Sequence, residues 1–143
     1  MINRTIIKFV FLVFPTLTIA EPLIIVPITE KLLFPEFYIS GTNQKAIAHP
    51  KFNQTDSFSF FVEGVKGRQF KISLAPNQSL NDGKSAVSIS KFIFGCGLSS
   101  SGKGVVKQSG RSELLCIGAQ ASISSDTPPG YYSSAINFEI NYL

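Results

Sequence analysis

Period-two alternation runs through this chain, and no stretch of it sustains a helical period. Leu115, Ile117, Ala119, Ala121 and Ile123 fall on one face of an extended segment. Phe58, Phe60 and Val62 alternate with Ser57, Ser59 and Phe61, and Phe70, Ile72 and Leu74 repeat the pattern after "GVKG". Successive strand side chains point to opposite faces, so this spacing gives a half-buried strand one apolar side and would scatter the same residues around a helix. Turn chemistry such as "NDG" and "SDTPPG" separates the runs. "DSFSFFVEGVKGRQFKISLAP" therefore predicts a hairpin, and "AVSISKFIFGC" and "ELLCIGAQASIS" predict single strands. "EFYISGTNQKAIAHP" predicts two short strands, "NQSLNDGKS" a loop, and the Ser- and Gly-rich "GLSSSGKGVVKQSGRS" a mobile hairpin or loop. In "EPLIIVPITEKLLF", Pro22 and Pro27 suit an edge strand or a strand that changes partners, because proline cannot donate to a ladder. Seven or eight short strands predict an all-β fold, an antiparallel immunoglobulin-like β-sandwich. The chain has no tryptophan, so the buried Trp of antibody domains has no counterpart.

Residues 1–20 carry a different pattern. Arg4 and Lys8 accompany the apolar run "IIKFVFLVFPTLTIA", and Thr18 and Ala20 place small residues at the −3 and −1 positions of a cleavage site. This predicts a secretory signal peptide over 1–20 with Glu21 as the first mature residue. The run is short for a membrane span, and Pro15 interrupts it. The expected organisation is then a short extension at 21–26, a possible donor strand, followed by the sandwich at 27–143. Without Arg4 and Lys8 the mature chain keeps eleven basic residues against nine acidic ones, so it is only mildly basic. Its lysines are spread along the sequence without the aromatic interleaving of a nucleic-acid surface. In an oxidising compartment the two cysteines, Cys96 and Cys116, read as a disulfide, closing a loop of about 20 residues and stabilising by roughly 3 kcal/mol.

No residue set supports catalysis. The single histidine, His49, stands beside Pro50 with no acid or nucleophile near it in sequence. The serine clusters lack a G-x-S-x-G setting, and "GKGVVKQSG" lacks the ending and the helix of a phosphate loop. Two cysteines and one histidine make no metal site. The expectation is a protein that is not an enzyme and has no cofactor, no small-molecule substrate and no nucleic-acid partner.

The C-terminal stretch "PPGYYSSAINFEINYL" alternates to its end, with Ile136, Phe138, Ile140 and Tyr142 on one face and Asn137, Glu139 and Asn141 on the other. It resembles the ending of chaperone–usher pilin subunits, which carry a glycine fourteenth from the end and a penultimate tyrosine; Gly130 and Tyr142 occupy those positions. The "aromatic-x-V-x-G" hairpin in "DSFSFFVEGVKGRQFKISLAP" and the ending "LLCIGAQASISSDTPPGYYSSAINFEINY" resemble a bacterial fimbrial-type family known as domain of unknown function 4402, related to archaic pilins and spore coat U proteins. "PITEKLLFPEFYISG" is similar to that family's opening segment. Pro35 and Ser134 stand where the family usually has glycine, and the cysteine pair is not general to it.

The resemblance implies a sandwich lacking its last strand, which a periplasmic chaperone and then a neighbouring subunit supply. Gly130, Ile136, Phe138, Ile140 and Tyr142 would form the accepting groove, and Leu23 and Ile25 are possible donor residues. Since 21–26 is short for a donor, the open alternatives are a donor extending to about Thr29 and a terminal subunit that accepts a strand and donates none. The implied protein is a subunit of a pilus or fimbria, exported through the periplasm and an outer-membrane usher to the cell surface. The alternative is a self-contained secreted sandwich that binds a ligand or host surface, its groove closed by Leu23–Ile28 folding back.

Overall fold

The computed structural model describes residues 21–29, 32, 34, 42–51, 57–133 and 135–143. The leader read in residues 1–20 and the strand read in "EFYIS" lie outside them. Among the described residues all regular structure is β-strand. The larger sheet runs β1 (Ile24–Pro27), β3 (Phe58–Glu63), β8 (Leu115–Ile123), β6 (Ala86–Cys96), β5 (Ser79–Asn81), with β2 (Gln44–Ala48) also on β8. The smaller sheet runs β7 (Lys103–Val105), β4 (Gln69–Leu74), β9 (Phe138–Tyr142), and every pairing is antiparallel. β2 and β3 meet the same edge of β8 one after the other, β2 along Ala119–Ile123 and β3 along Leu115–Ile117. Together they cover one edge of β8. Pro50, just after β2, lies over Gly95 and Gly118, where a side chain on either glycine would strike it.

The two sheets pack face to face through the alternating residues. Phe60, Val62, Leu115 and Ile117 of one sheet meet Phe70 and Ile72 of the other in a single buried cluster. At the expected 1.5–3 kcal/mol per buried side chain, roughly, this layer is the main source of stability. The small sheet covers only part of the large one. Elsewhere Leu32, Phe34, Tyr132 and Ile136 pack against Ala46, Ala48, Leu80, Val87, Ala119, Ala121 and Ile123.

Taken in chain order, β1-β3-β8-β6 reproduces the A-B-E-D sheet of an immunoglobulin constant-type sandwich, and β4-β9 reproduces the C-F pair of the facing sheet. The G strand of that plan would lie beside β9. Among the described residues no strand pairs with that edge.

Three expectations are corrected. The segment read as a hairpin, β3 to β4, is an arch: the chain crosses from one sheet to the other through Gly64–Arg68, with Gly67 at φ 76°. Its two apolar faces oppose each other across the core instead of lying side by side. "GLSSSGKGVVKQSGRS" is not a mobile loop, because it contributes β7 to the small sheet, where Phe70 lies on the bare backbone of Gly104. "NQSLNDGKS" holds β5 and a tight hairpin turn into β6, with Gly83 at φ 89° and the Asp82 carboxylate accepting from the Lys84 and Ser85 amides at 2.9 and 2.7 Å. Other expectations hold. β8 buries all five residues of its predicted face, β1 with its prolines is an edge strand, and Cys96 is bonded to Cys116 across neighbouring strands.

Candidate functional site: the free edge of β9

β9 lies on the rim of the small sheet and, among the described residues, pairs only with β4. Its register sets Tyr142, Ile140 and Phe138 opposite Phe70, Ile72 and Leu74. The Leu143 amide donates to Gln69 at 2.9 Å and the Ala75 amide to Asn137 at 3.1 Å. In an antiparallel ladder these two bonds fix the alternation: Asn137, Glu139, Asn141 and Leu143 turn their peptide groups toward β4. Phe138, Ile140 and Tyr142 therefore direct their N–H and C=O groups to the other side, along the free edge.

The same three residues send their side chains inward. Phe138 packs against Phe58 and Phe60 of the opposite sheet, ring centroids 6.0 and 5.8 Å apart. The cover on this side is incomplete. Phe70 and Ile72 are 0% and 1% exposed, whereas Tyr142, Ile140 and Phe138 are only half-buried. An unpaired edge above half-covered apolar side chains is the chemistry that recruits another strand.

Both ends of β9 are anchored. The Tyr142 hydroxyl accepts from the Val65 amide at 2.8 Å, and Arg68 lies over the tyrosine ring at 5.1 Å. Gly64 makes room, since a methyl group there would run into the Tyr142 hydroxyl and Leu23. At the other end the Gln78 side-chain amide donates to Ala75 and Asn137, both at 2.9 Å, while its oxygen accepts from the Asn137 amide at 2.8 Å. Gly64 is the glycine of the "aromatic-x-V-x-G" motif, whereas Gln78 was not singled out from sequence, because it acts through Asn137, distant along the chain.

The remaining sequence-derived residues fall elsewhere. Ile136 precedes β9 and packs against Leu32, Ala48 and Ala119, so it is not part of the alternating edge. Gly130 is exposed beside Asp82 of the β5–β6 turn, on the flank opposite β1, and takes no part in this edge. The chain between them crosses the large sheet, bridging Asn81 and Ser133 with bonds of 3.1 and 3.0 Å. Leu23 and Ile25 pack on their own chain's core, and Ile24–Pro27 is paired with β3. The short extension expected at 21–26 thus lies on its own chain from Leu23 onward in this structure. His49 is exposed, and an open hollow of about 390 Å³ beside the disulfide is lined, among the described residues, by Lys51 and Glu113 as its charged groups. Among the described residues no cluster of three or more His, Cys, Asp or Glu is placed to hold a metal.

These features define a class: an antiparallel two-sheet sandwich in which, among the described residues, no strand pairs with the outer edge of β9. The chain belongs to the family described as Domain of unknown function (DUF4402), whose model matches residues 39–142. No curated protein and no solved structure matches it.

Proposed function

We propose that this chain is a structural subunit of a bacterial surface pilus or fimbria, joined to its neighbours by strand addition at the free edge of β9. The observation that carries the reading is that Phe138, Ile140 and Tyr142 combine edge-facing peptide groups with half-buried inward side chains. A strand laid along them would gain ladder hydrogen bonds and bury alternate side chains, each contributing about 1.5–3 kcal/mol. Export, a periplasmic chaperone as first strand donor, an outer-membrane usher and a neighbouring subunit as final donor complete the reading, by resemblance of the C-terminal stretch to pilin subunits.

Deleting the gene in the producing bacterium is expected to remove a surface fibre visible by electron microscopy. The wild-type chain restores it, and Ile140→Asp does not, although that variant is still exported with its disulfide formed. Fibres that persist after deletion would end the proposal.

A second reading, a self-contained secreted sandwich that binds a ligand or host surface, is favoured by the return of Ile24–Pro27 onto β3. That strand closes the large sheet and leaves the edge of β9 unpaired among the described residues. The second reading expects the deletion to leave surface fibres intact, and the exported chain to bind its target as a free monomer.

A further inference from the structure

β1 is held by more than its ladder. It pairs with β3 from Ile24↔Glu63 to Pro27↔Phe60. Beyond it, the Ile28 and Thr29 amides both donate to the Ser59 carbonyl, at 2.8 and 3.1 Å. The Thr29 hydroxyl accepts from the Ser59 amide at 2.7 Å and donates to the Ser57 carbonyl at 2.9 Å. Leu23 and Ile25 point into the cluster that also holds Phe138 and Ile140, and Leu23 meets Gly64 next to Tyr142.

β1 and β9 are the outermost strands of their sheets on the same flank. Phe138 contacts Phe58 and Phe60 of β3, the neighbour of β1, whereas Gly102, just before β7 on the other rim of the small sheet, lies against Phe94 of β6. A strand added to β9 would thus lie between β9 and β1. Its inward side chains would find Phe138 and Ile140 on one wall, Leu23 and Ile25 on the other, and Leu23 with Tyr142 closing one end.

We infer that Leu23 and Ile25 are part of this chain's own receiving groove, so that the chain accepts a strand at β9 without donating one through Leu23–Thr29; the inference rests on the strand-accepting reading of β9. Withdrawing β1 would open the edge of β3, uncover Phe60 and Val62, both 0% exposed, and remove one wall of the groove. Accepting a strand and lending β1 are therefore mutually exclusive in one molecule. A subunit of this kind ends a row of subunits, or continues it through residues other than these.

The test is a covalent lock. Val26 and Phe61 are directly paired and lie on the outer face of the large sheet, away from the groove. Paired Cα atoms in a ladder are about 5.5 Å apart, within the reach of a disulfide. The variant Val26→Cys/Phe61→Cys is expected to form an intrachain disulfide and to enter surface fibres as wild type does. Failure of the bond to form, or loss of incorporation once it has formed, would overturn the inference. The lock leaves β9 unaltered. A wild-type chain that enters no assembly would count against the strand-accepting reading instead, and the placement of β1 would then be judged by whether the intrachain bond forms.

Discussion

Tyr142 shows how one side chain can hold a strand in place. Its hydroxyl receives the Val65 amide, which would otherwise lack that partner in the β3–β4 arch, and its ring carries Arg68. Tyr142→Phe is expected to lower stability by about 0.5–1.5 kcal/mol in chemical denaturation. Gly64→Ala is expected to cost about 1–3 kcal/mol, because the added methyl meets that hydroxyl and Leu23. The two losses should not add, since removing the hydroxyl relieves part of the clash. Asp82 offers a pH test. Hydrogen bonds from the Ser85 and Lys84 amides hold its carboxyl below its ordinary value of 3.8. A carboxyl lowered on folding contributes stability that is fully present above 3.8 and is lost as pH falls through its folded pKa. An NMR titration of the Asp82 side-chain carbon should show a midpoint below 3.8, and one at or above that value would refute the turn's role.

At the scale of the element, register creates neighbours that the sequence keeps far apart. Lys71 of β4 stands directly opposite Lys103 of β7, and neither forms an ion pair among the described residues. Like charges so placed are destabilising, so Lys71→Glu is expected to raise stability by about 0.2–1 kcal/mol, with the gain shrinking in high salt. The same distinction explains what was legible in the sequence. Alternation identified the buried face of β8 because Leu115 through Ile123 carry the signal locally. The prolines marked β1 as an edge because a missing N–H is a local property. Alternation says which side of a strand is apolar but not which sheet receives it, so Phe58–Val62 and Phe70–Leu74 read as a hairpin although they face each other across the core. β7 has almost no apolar pattern of its own. Its place depends on Phe70 finding no side chain at Gly104. Ile136 continued the alternation of β9 on paper, yet the strand begins only at Phe138, where the bonds to Gln78 start it.

For the whole molecule, two sheets of unequal size share one core, with β1 and β9 each at the rim of its sheet. Period two made the shared apolar face of Phe138, Ile140 and Tyr142 legible, whereas an open edge beside them was only what the resemblance implied. The return of Ile24–Pro27 onto β3 was not legible, because a strand can return to its own chain or travel to another with the same residues. The pairing of β9 with β4 also bears on the order of events when the chain is made. β4 leaves the ribosome well before β9. Until Tyr142 has emerged, Phe70 and Ile72 have no neighbour on that side, and no local hairpin can substitute. Contacts so distant in sequence form slowly, and a chain waiting for them exposes apolar surface. A nascent chain of this protein therefore keeps that side of its core open until β9 has emerged, which is the interval in which a helper would have most to bind.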